Sequence, residues 1–244
     1  MPSETRPVAL VTGSSSGIGA EIARRLGADG YAVVVNSRSS VATGEAVAAE
    51  VGGSYLQADV ADEKQARALV DQVLARHGRL DVLVNNAGTT EVIAHHDLAA
   101  ATPEIWRRLY DVNVVAPFVL VTAAEAALRA AAPGCVVNVS SLAGVRPTGS
   151  SIPYASSKAA FNHQTRLLAK ALGPDIRVNA VAPGLIETPW TAGWSDLHAL
   201  VGAGAPLRRS GTPADVAEVV MGLVRSTYVT GQVVVVDGGL GQVT

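Results

Sequence analysis

Seven short strand-like runs, most of them rich in Val, Leu and Ala, recur along the chain at residues 7–12, 31–36, 54–57, 80–85, 135–139, 175–182 and 232–237. The stretches between them carry helical patterns for most of their length. A short apolar run bounded by turn signals suits a strand buried on both faces, and strands alternating with helices pair in parallel. The expected fold is α/β: one doubly wound parallel sheet of about seven strands, helices on both faces and right-handed crossovers, built as a single domain over residues 1–244. Charged residues are only 16% of the chain and hydrophobic ones 48%, which suits that much buried strand. Aromatics, at 4%, leave Val, Ala and Leu to fill the core.

The first run ends in Thr12-Gly13-Ser14-Ser15-Ser16-Gly17-Ile18-Gly19 and passes into a helical pattern with Ile22, Ala23 and Leu26 on one side. Glycine lets the main chain approach a ligand closely. A helix N-terminus offers unpaired N–H groups and a positive dipole end to a pyrophosphate. Gly13, Ser15, Ser16, Gly17, Ile18 and Gly19 are therefore candidate dinucleotide contacts. The spacing is G-x-x-x-G-x-G rather than the G-x-G-x-x-G of many dinucleotide folds, and a purely structural turn is the alternative.

The second run ends in Asn36-Ser37-Arg38-Ser39. No acid is there for a ribose 2′-hydroxyl, whereas Arg38 between two serines suits a 2′-phosphate. NADP(H) is favoured, NAD(H) is the other option, and a solvated Arg38 is the structural alternative. Asn85-Asn86-Ala87-Gly88 closes the fourth run at the edge where ligands of such sheets bind; an ordinary turn explains the same residues.

The fifth run leads into Ser140 and Ser141, and Pro153 opens a helix that carries Tyr154 and Lys158 one turn apart. Side chains at i and i+4 share a helix face. An ammonium beside a phenol favours the phenolate, so the Tyr154 pKa is expected to fall from its reference of about 10. That makes Tyr154 a usable general acid or base, with Ser141 holding the other side of a substrate oxygen. A packed Tyr and a solvated Lys are the bland alternative.

A long helix starts at Thr102-Pro103 and is expected to run to about residue 130. Asn113 lies inside it, and Pro117 four positions on removes the usual donor to the Asn113 carbonyl, freeing it to hold a water. Residues 187–210 contain Trp190 and Trp194 and show little pattern beyond a short helix around Leu197, Leu200 and Val201. They read as a substrate lid.

The net charge is −2 with no basic block, so nucleic acid and anionic membrane have no electrostatic support as partners. No signal-like region and no membrane-length apolar stretch is expected, which makes cytoplasmic the default location. Cys135 reads as a buried structural thiol. His95 and His96 read as surface loop residues, and no metal site is expected.

Taken in order, these motifs resemble the short-chain dehydrogenase/reductase family over nearly the whole chain. The Thr12 to Gly19 turn resembles its cofactor turn, Asp59-Val60 its adenine contact and Asn85-Asn86-Ala87-Gly88 its fourth-strand motif. Asn113, Ser141, Tyr154 and Lys158 resemble its catalytic tetrad in order and spacing. Pro183-Gly184, with Ile186 and Thr188, resembles the segment that closes over the nicotinamide.

The resemblance implies a Rossmann-like fold and an oxidoreductase that moves a hydride between nicotinamide and a small or medium alcohol/ketone substrate. It implies Tyr154 as general acid/base, Ser141 as hydrogen-bond partner of the substrate oxygen and Lys158 as ligand of the nicotinamide ribose that depresses the Tyr154 pKa. Asn113 would position a water linking Lys158 to solvent. A homo-oligomer, tetramer or dimer, is implied through the two long helices and the last strand. Two other functions stay in view. One is 3-oxoacyl acyl-carrier-protein reductase, with Arg146, Arg208 and Arg209 as docking candidates, although residues 89–97 depart from the usual form of that enzyme. The other is a catalytically idle cofactor-sensing protein, which loss of a tetrad residue would have favoured.

Overall fold

The centre of the molecule is β1 (Val8–Val11), an unbroken apolar tetrapeptide buried along its whole length. Val8 and Leu10 pack into one hydrophobic layer, Ala9 and Val11 into the other, as the two-residue period of a strand requires. The computed structural model describes residues 6–243, so the ends of the expected 1–244 domain, and most of the N-terminal stretch expected to lack a signal-like region, lie outside the described residues.

From β1 the chain runs through α1 (Gly17–Ala28), β2 (Ala32–Ser37), α2 (Val41–Glu50), β3 (Ser54–Gln57), α3 (Glu63–His77) and β4 (Val82–Asn85). Then come α4 (Pro103–Tyr110), α5 (Ala116–Ala131), β5 (Gly134–Val139), α6 (Ile152–Leu172) and β6 (Ile176–Pro183), followed by α7 (Ser195–Gly204), α8 (Pro213–Arg225) and β7 (Val233–Val236). The sheet order is β3-β2-β1-β4-β5-β6-β7 and every pair is parallel. The layer of α3, α5 and α6 covers one face, and that of α1, α2 and α8 the other. Strand order reverses between β1 and β4, the switch point at which such sheets bind ligands.

Local signals place the ends of the elements. Asp62 Oδ1 accepts the Gln65 N–H at 3.0 Å to start α3, and Gly78, at φ 73°, ends it. Thr212 and Asp215 form a capping box on α8. The thiol of Cys135 lies in β5, where burial pushes its pKa up to about 11, with Arg177 opposing.

Two expectations for the long helix need correction. It is interrupted by a five-residue π turn, Asp111–Val115, between α4 and α5, in which the Ala116 N–H reaches back to the Asp111 carbonyl. Pro117, with no N–H to give, sits just after the widened turn. In addition, Pro103–Ala131 is long and apolar enough to cross a membrane by length and composition, an 18-residue stretch of it having a mean hydropathy of 1.6. Its Leu120, Ala124 and Leu128 belong to the core, whereas Val115 and Phe118 are exposed.

Candidate active site

A cleft of about 1290 Å³ runs along the carboxyl ends of the strands. Its first half is built on the glycine turn. Gly13 has φ +61°, and a Cβ there would stand 2.9 Å from the Ala87 Cα. A Cβ on Gly19 would strike the Asn86 amide and lie 2.6 Å from the Gly13 carbonyl oxygen. The turn is tied to the end of β4: the Thr12 hydroxyl accepts the Asn86 and Ala87 N–H groups at 3.0 and 3.1 Å. The Asn86 amide donates to the Thr12 and Gly13 carbonyls, both at 2.9 Å. Asn86 therefore shapes the turn as well as lining the cleft.

Ser14, which sequence reasoning passed over, is buried under the turn, donating to the Val11 carbonyl at 2.6 Å and accepting the Asn36 N–H at 3.1 Å. Ser16 caps α1 without a side-chain hydrogen bond, and no acid occupies the first turn. The α1 N–H groups are thus open to an anion, and Ser15, Ser16, Gly17 and Ile18 line the cleft beside them. This cradle fits a dinucleotide pyrophosphate.

Arg38 is exposed on the cleft with Ser39 and Ser40. Its guanidinium makes no hydrogen bond or ion pair among the described residues, and its carbonyl accepts from Gln57 at 2.9 Å. Ser37 lines the cleft beside it, 5% exposed, with its hydroxyl 2.9 Å from the Tyr55 phenol. Asp59, Val60, Ala87 and Gly88 line the same half, and Pro183, Gly184, Ile186 and Thr188 face them. Thr188 overhangs the turn, 3.3 Å from where a Gly17 Cβ would be.

The second half is lined by Ser141, Tyr154 and Lys158 of the expected tetrad. Ser151 caps α6 by accepting the Tyr154 N–H at 3.3 Å, which aims Tyr154 and Lys158 toward the end of β5. Lys158 is buried with no acid beside it; its Nζ donates to the Val139 carbonyl at 3.0 Å and lies 5.9 Å from the centre of the Tyr154 ring. Burial alone pulls the ammonium down to about 8. Tyr154 departs from the expected direction: burial raises its pKa, and a hydrogen bond with Ser141 is the opposing influence. Lys158 does not lower it here because the ammonium is turned to Val139 rather than to the phenol.

Asn113 is fully buried, and both ends of its amide are engaged. Its Nδ2 donates to the Thr89 carbonyl and to Ser157 Oγ, each at 3.0 Å, and its Oδ1 accepts the Thr89 N–H at 2.9 Å. Ser157 in turn donates to the Tyr154 carbonyl at 2.7 Å. The side chain therefore ties the loop after β4 to α6. Thr89 and Ser157 were missed in the sequence; a serine three residues after the tyrosine, able to bond back along the helix, was the available signal.

The wall beyond is two loops fastened together. Ile93 N–H donates to the Ser150 carbonyl at 2.8 Å, and the Thr90 and Ser150 hydroxyls are 2.5 Å apart. A ring nitrogen of His95 lies 3.0 Å from the Gly149 carbonyl; His95 and His96 are both exposed, as read, and His95 also lines the cleft. The segment read as a lid is more ordered than expected: a 3-10 turn at Pro189–Thr191 precedes α7. All three docking candidates are engaged internally, Arg146 with the Gly241 carbonyl, Arg208 with the Ala203 carbonyl and Arg209 with Asp215.

The buried lysine predicts a pH signature. In the unfolded chain Lys158 has the ordinary lysine pKa of 10.5, against about 8 when folded. Between those values the unfolded state binds more protons, so this group's contribution to stability rises with pH. In urea unfolding without cofactor, the stability of Lys158→Met relative to wild type is expected to fall as pH rises from about 8 to about 10. A difference that stays constant across that window contradicts a penalised buried ammonium.

Comparison with known proteins points one way. A family model described as enoyl-(acyl carrier protein) reductase matches residues 13–241. A Streptomyces violaceoruber protein named for a ketoacyl reductase of the granaticin polyketide synthase is 58% identical, over 96% of this chain and 95% of its own length. A Burkholderia xenovorans structure described as a short-chain dehydrogenase/reductase superposes with a TM-score of 0.91 at 38% identity, covering 98% of this chain and 99% of that one. A metagenomic blue fluorescent protein in complex with NADPH superposes with a TM-score of 0.88 at 37% identity, covering 96% and 97%.

Proposed function

This chain belongs to the short-chain dehydrogenase/reductase family of oxidoreductases, and we propose that within it the protein uses NADP(H) to reduce a ketone at the cleft, with Tyr154 as the proton donor. The observation that carries this reading is the convergence of Tyr154, Ser141 and a buried Lys158 on the cleft that holds the glycine turn. A phenol whose pKa is raised stays protonated near neutral pH, which is the form that donates to a ketone oxygen.

When bound, the nicotinamide supplies the hydride. The chain's own residues do the rest. Tyr154 delivers a proton to the substrate oxygen, and takes one in the reverse direction. Ser141 hydrogen-bonds that oxygen and the phenol. Lys158, held at the end of β5 by the Val139 carbonyl, would bind the nicotinamide ribose. Asn113, through Thr89 and Ser157, keeps the wall loop and the catalytic helix in register.

Arg38 supports the preference for NADP(H), since it is an unpaired guanidinium where a 2′-phosphate belongs. Arg38→Ala is expected to weaken NADPH binding by roughly tenfold or more and NADH binding by less than about threefold, the size of one charge-assisted hydrogen bond. Equal losses in fluorescence titrations would remove the preference. Exposed Val115 and Phe118 on the α5 side and Leu167 on α6 support a homo-oligomer packed through the long helices.

A second reading, reduction of a carrier-bound 3-oxoacyl thioester, is favoured by the relative named for a ketoacyl reductase. The internal engagement of Arg146, Arg208 and Arg209 weighs against those residues as the docking surface. Turnover of an N-acetylcysteamine 3-oxoacyl thioester, compared with simple ketones, separates the two.

A further inference from the structure

The substrate half of the cleft is walled by apolar side chains left open to solvent. Val92 is 67% exposed, Trp190 50% and Leu197 42%, and all three line the concavity. Large apolar groups gathered on a concave surface mark where the body of a ligand rests. The polar groups there are mostly committed: the Thr90 and Ser150 hydroxyls to each other, and a His95 ring nitrogen to the Gly149 carbonyl.

Charge is scarcer still. Among the described residues that line this half, the cationic side chains of lysine and arginine are Lys158 and Arg108. Lys158 is buried below Tyr154 against the Val139 carbonyl. Arg108, on α4, has its Nη2 2.6 Å from Glu91 Oε2. The remaining charge of this half is a carboxylate, the exposed Asp196 in the first turn of α7. An anionic substrate would meet Asp196 and find Arg108 already taken.

We propose that the Glu91–Arg108 ion pair sets substrate choice, neutralising the accessible cation of the substrate half so that the site selects a neutral carbonyl compound with an apolar body over its carboxylate analogue. The inference rests on the reading of the protein as a carbonyl reductase. The pair is half exposed, at 48% and 42%, and such pairs contribute little to stability. Its removal therefore leaves the fold in place, and its effect falls on what Arg108 is free to bind.

The test uses methyl 4-oxocyclohexanecarboxylate and 4-oxocyclohexanecarboxylate, the same ring with and without a charge, reduced by the full chain with NADPH and with NADH. Wild type is expected to prefer the ester by about tenfold or more in kcat/KM, the discrimination one unpaired charge confers. Glu91→Gln, which releases Arg108, is expected to narrow that ratio to about threefold or less through a lower KM for the carboxylate. The double variant Glu91→Gln, Arg108→Gln restores the ester preference. A wild type that uses both ketones equally, or a Glu91→Gln ratio equal to that of wild type, overturns the assignment of the pair while the reductase reading stands. Reduction of neither ketone, nor of a 3-oxoacyl thioester, with either cofactor overturns the reductase reading, and the inference with it.

Discussion

Replacing Tyr154 with Phe lowers kcat by about a thousandfold or more, while NADPH affinity stays within about twofold of wild type. The substitution keeps the ring, and with it the ring's place in the cleft and its distance from the Lys158 Nζ. It removes the one proton that the site can deliver to a carbonyl oxygen from a raised-pKa donor. Ser141 remains but loses its phenol partner, and a serine hydroxyl is too weak an acid to replace it. Steady-state rates and a cofactor titration on the same preparation check both halves of the expectation. Turnover at the wild-type level in that variant would sink the assignment of Tyr154 as general acid.

Gly19→Ala is the second large effect, and it acts on binding rather than chemistry. Gly19 lies in α1 with ordinary helical backbone, so the objection to a side chain is space. The added methyl would meet the Asn86 amide, itself pinned to the Thr12 and Gly13 carbonyls, and the Gly13 oxygen at 2.6 Å. Neither neighbour can retreat without opening the turn, and overpacking of this kind costs about 1–3 kcal/mol. The expected result is a loss of NADPH affinity of roughly tenfold to a hundredfold with a lowered unfolding midpoint. Gly222→Ala, in α8 where a Cβ would meet nothing within 4 Å, serves as the control and is expected to bind as wild type does. An intact affinity in Gly19→Ala would return the glycine turn to a purely structural role.

The sheet was legible because its signals are local. Runs such as Val8–Val11 and Val82–Asn85 are too apolar and too short to be anything but buried strands when each is followed by a helical pattern. The glycine turn and the Tyr154–Lys158 pair were legible by spacing, since a turn after a strand and two side chains one helical turn apart fix their own geometry, whereas the catalytic part of Asn113 was implied only by the family resemblance. What was not legible depends on contacts between distant segments. The π turn at Asp111–Val115 leaves no periodic trace. The engagement of Asn113 with Thr89 and Ser157 joins three separate segments. The pairing of the Ser37 hydroxyl with Tyr55, from the neighbouring strand, was likewise invisible. The direction of the Tyr154 shift was misread for the same reason: helix spacing places a lysine near the tyrosine, but burial and the Val139 carbonyl decide where its ammonium points.

The most direct test of the central claim is a paired experiment: titrate NADPH and NADH into the protein by fluorescence, then follow oxidation of the preferred cofactor on addition of a ketone and a 3-oxoacyl thioester panel. A carbonyl reductase that prefers NADP(H) binds NADPH more tightly and oxidises one cofactor molecule for each carbonyl reduced. Tight NADPH binding with no oxidation across the panel would contradict that account and leave a protein that senses the cofactor instead of using it.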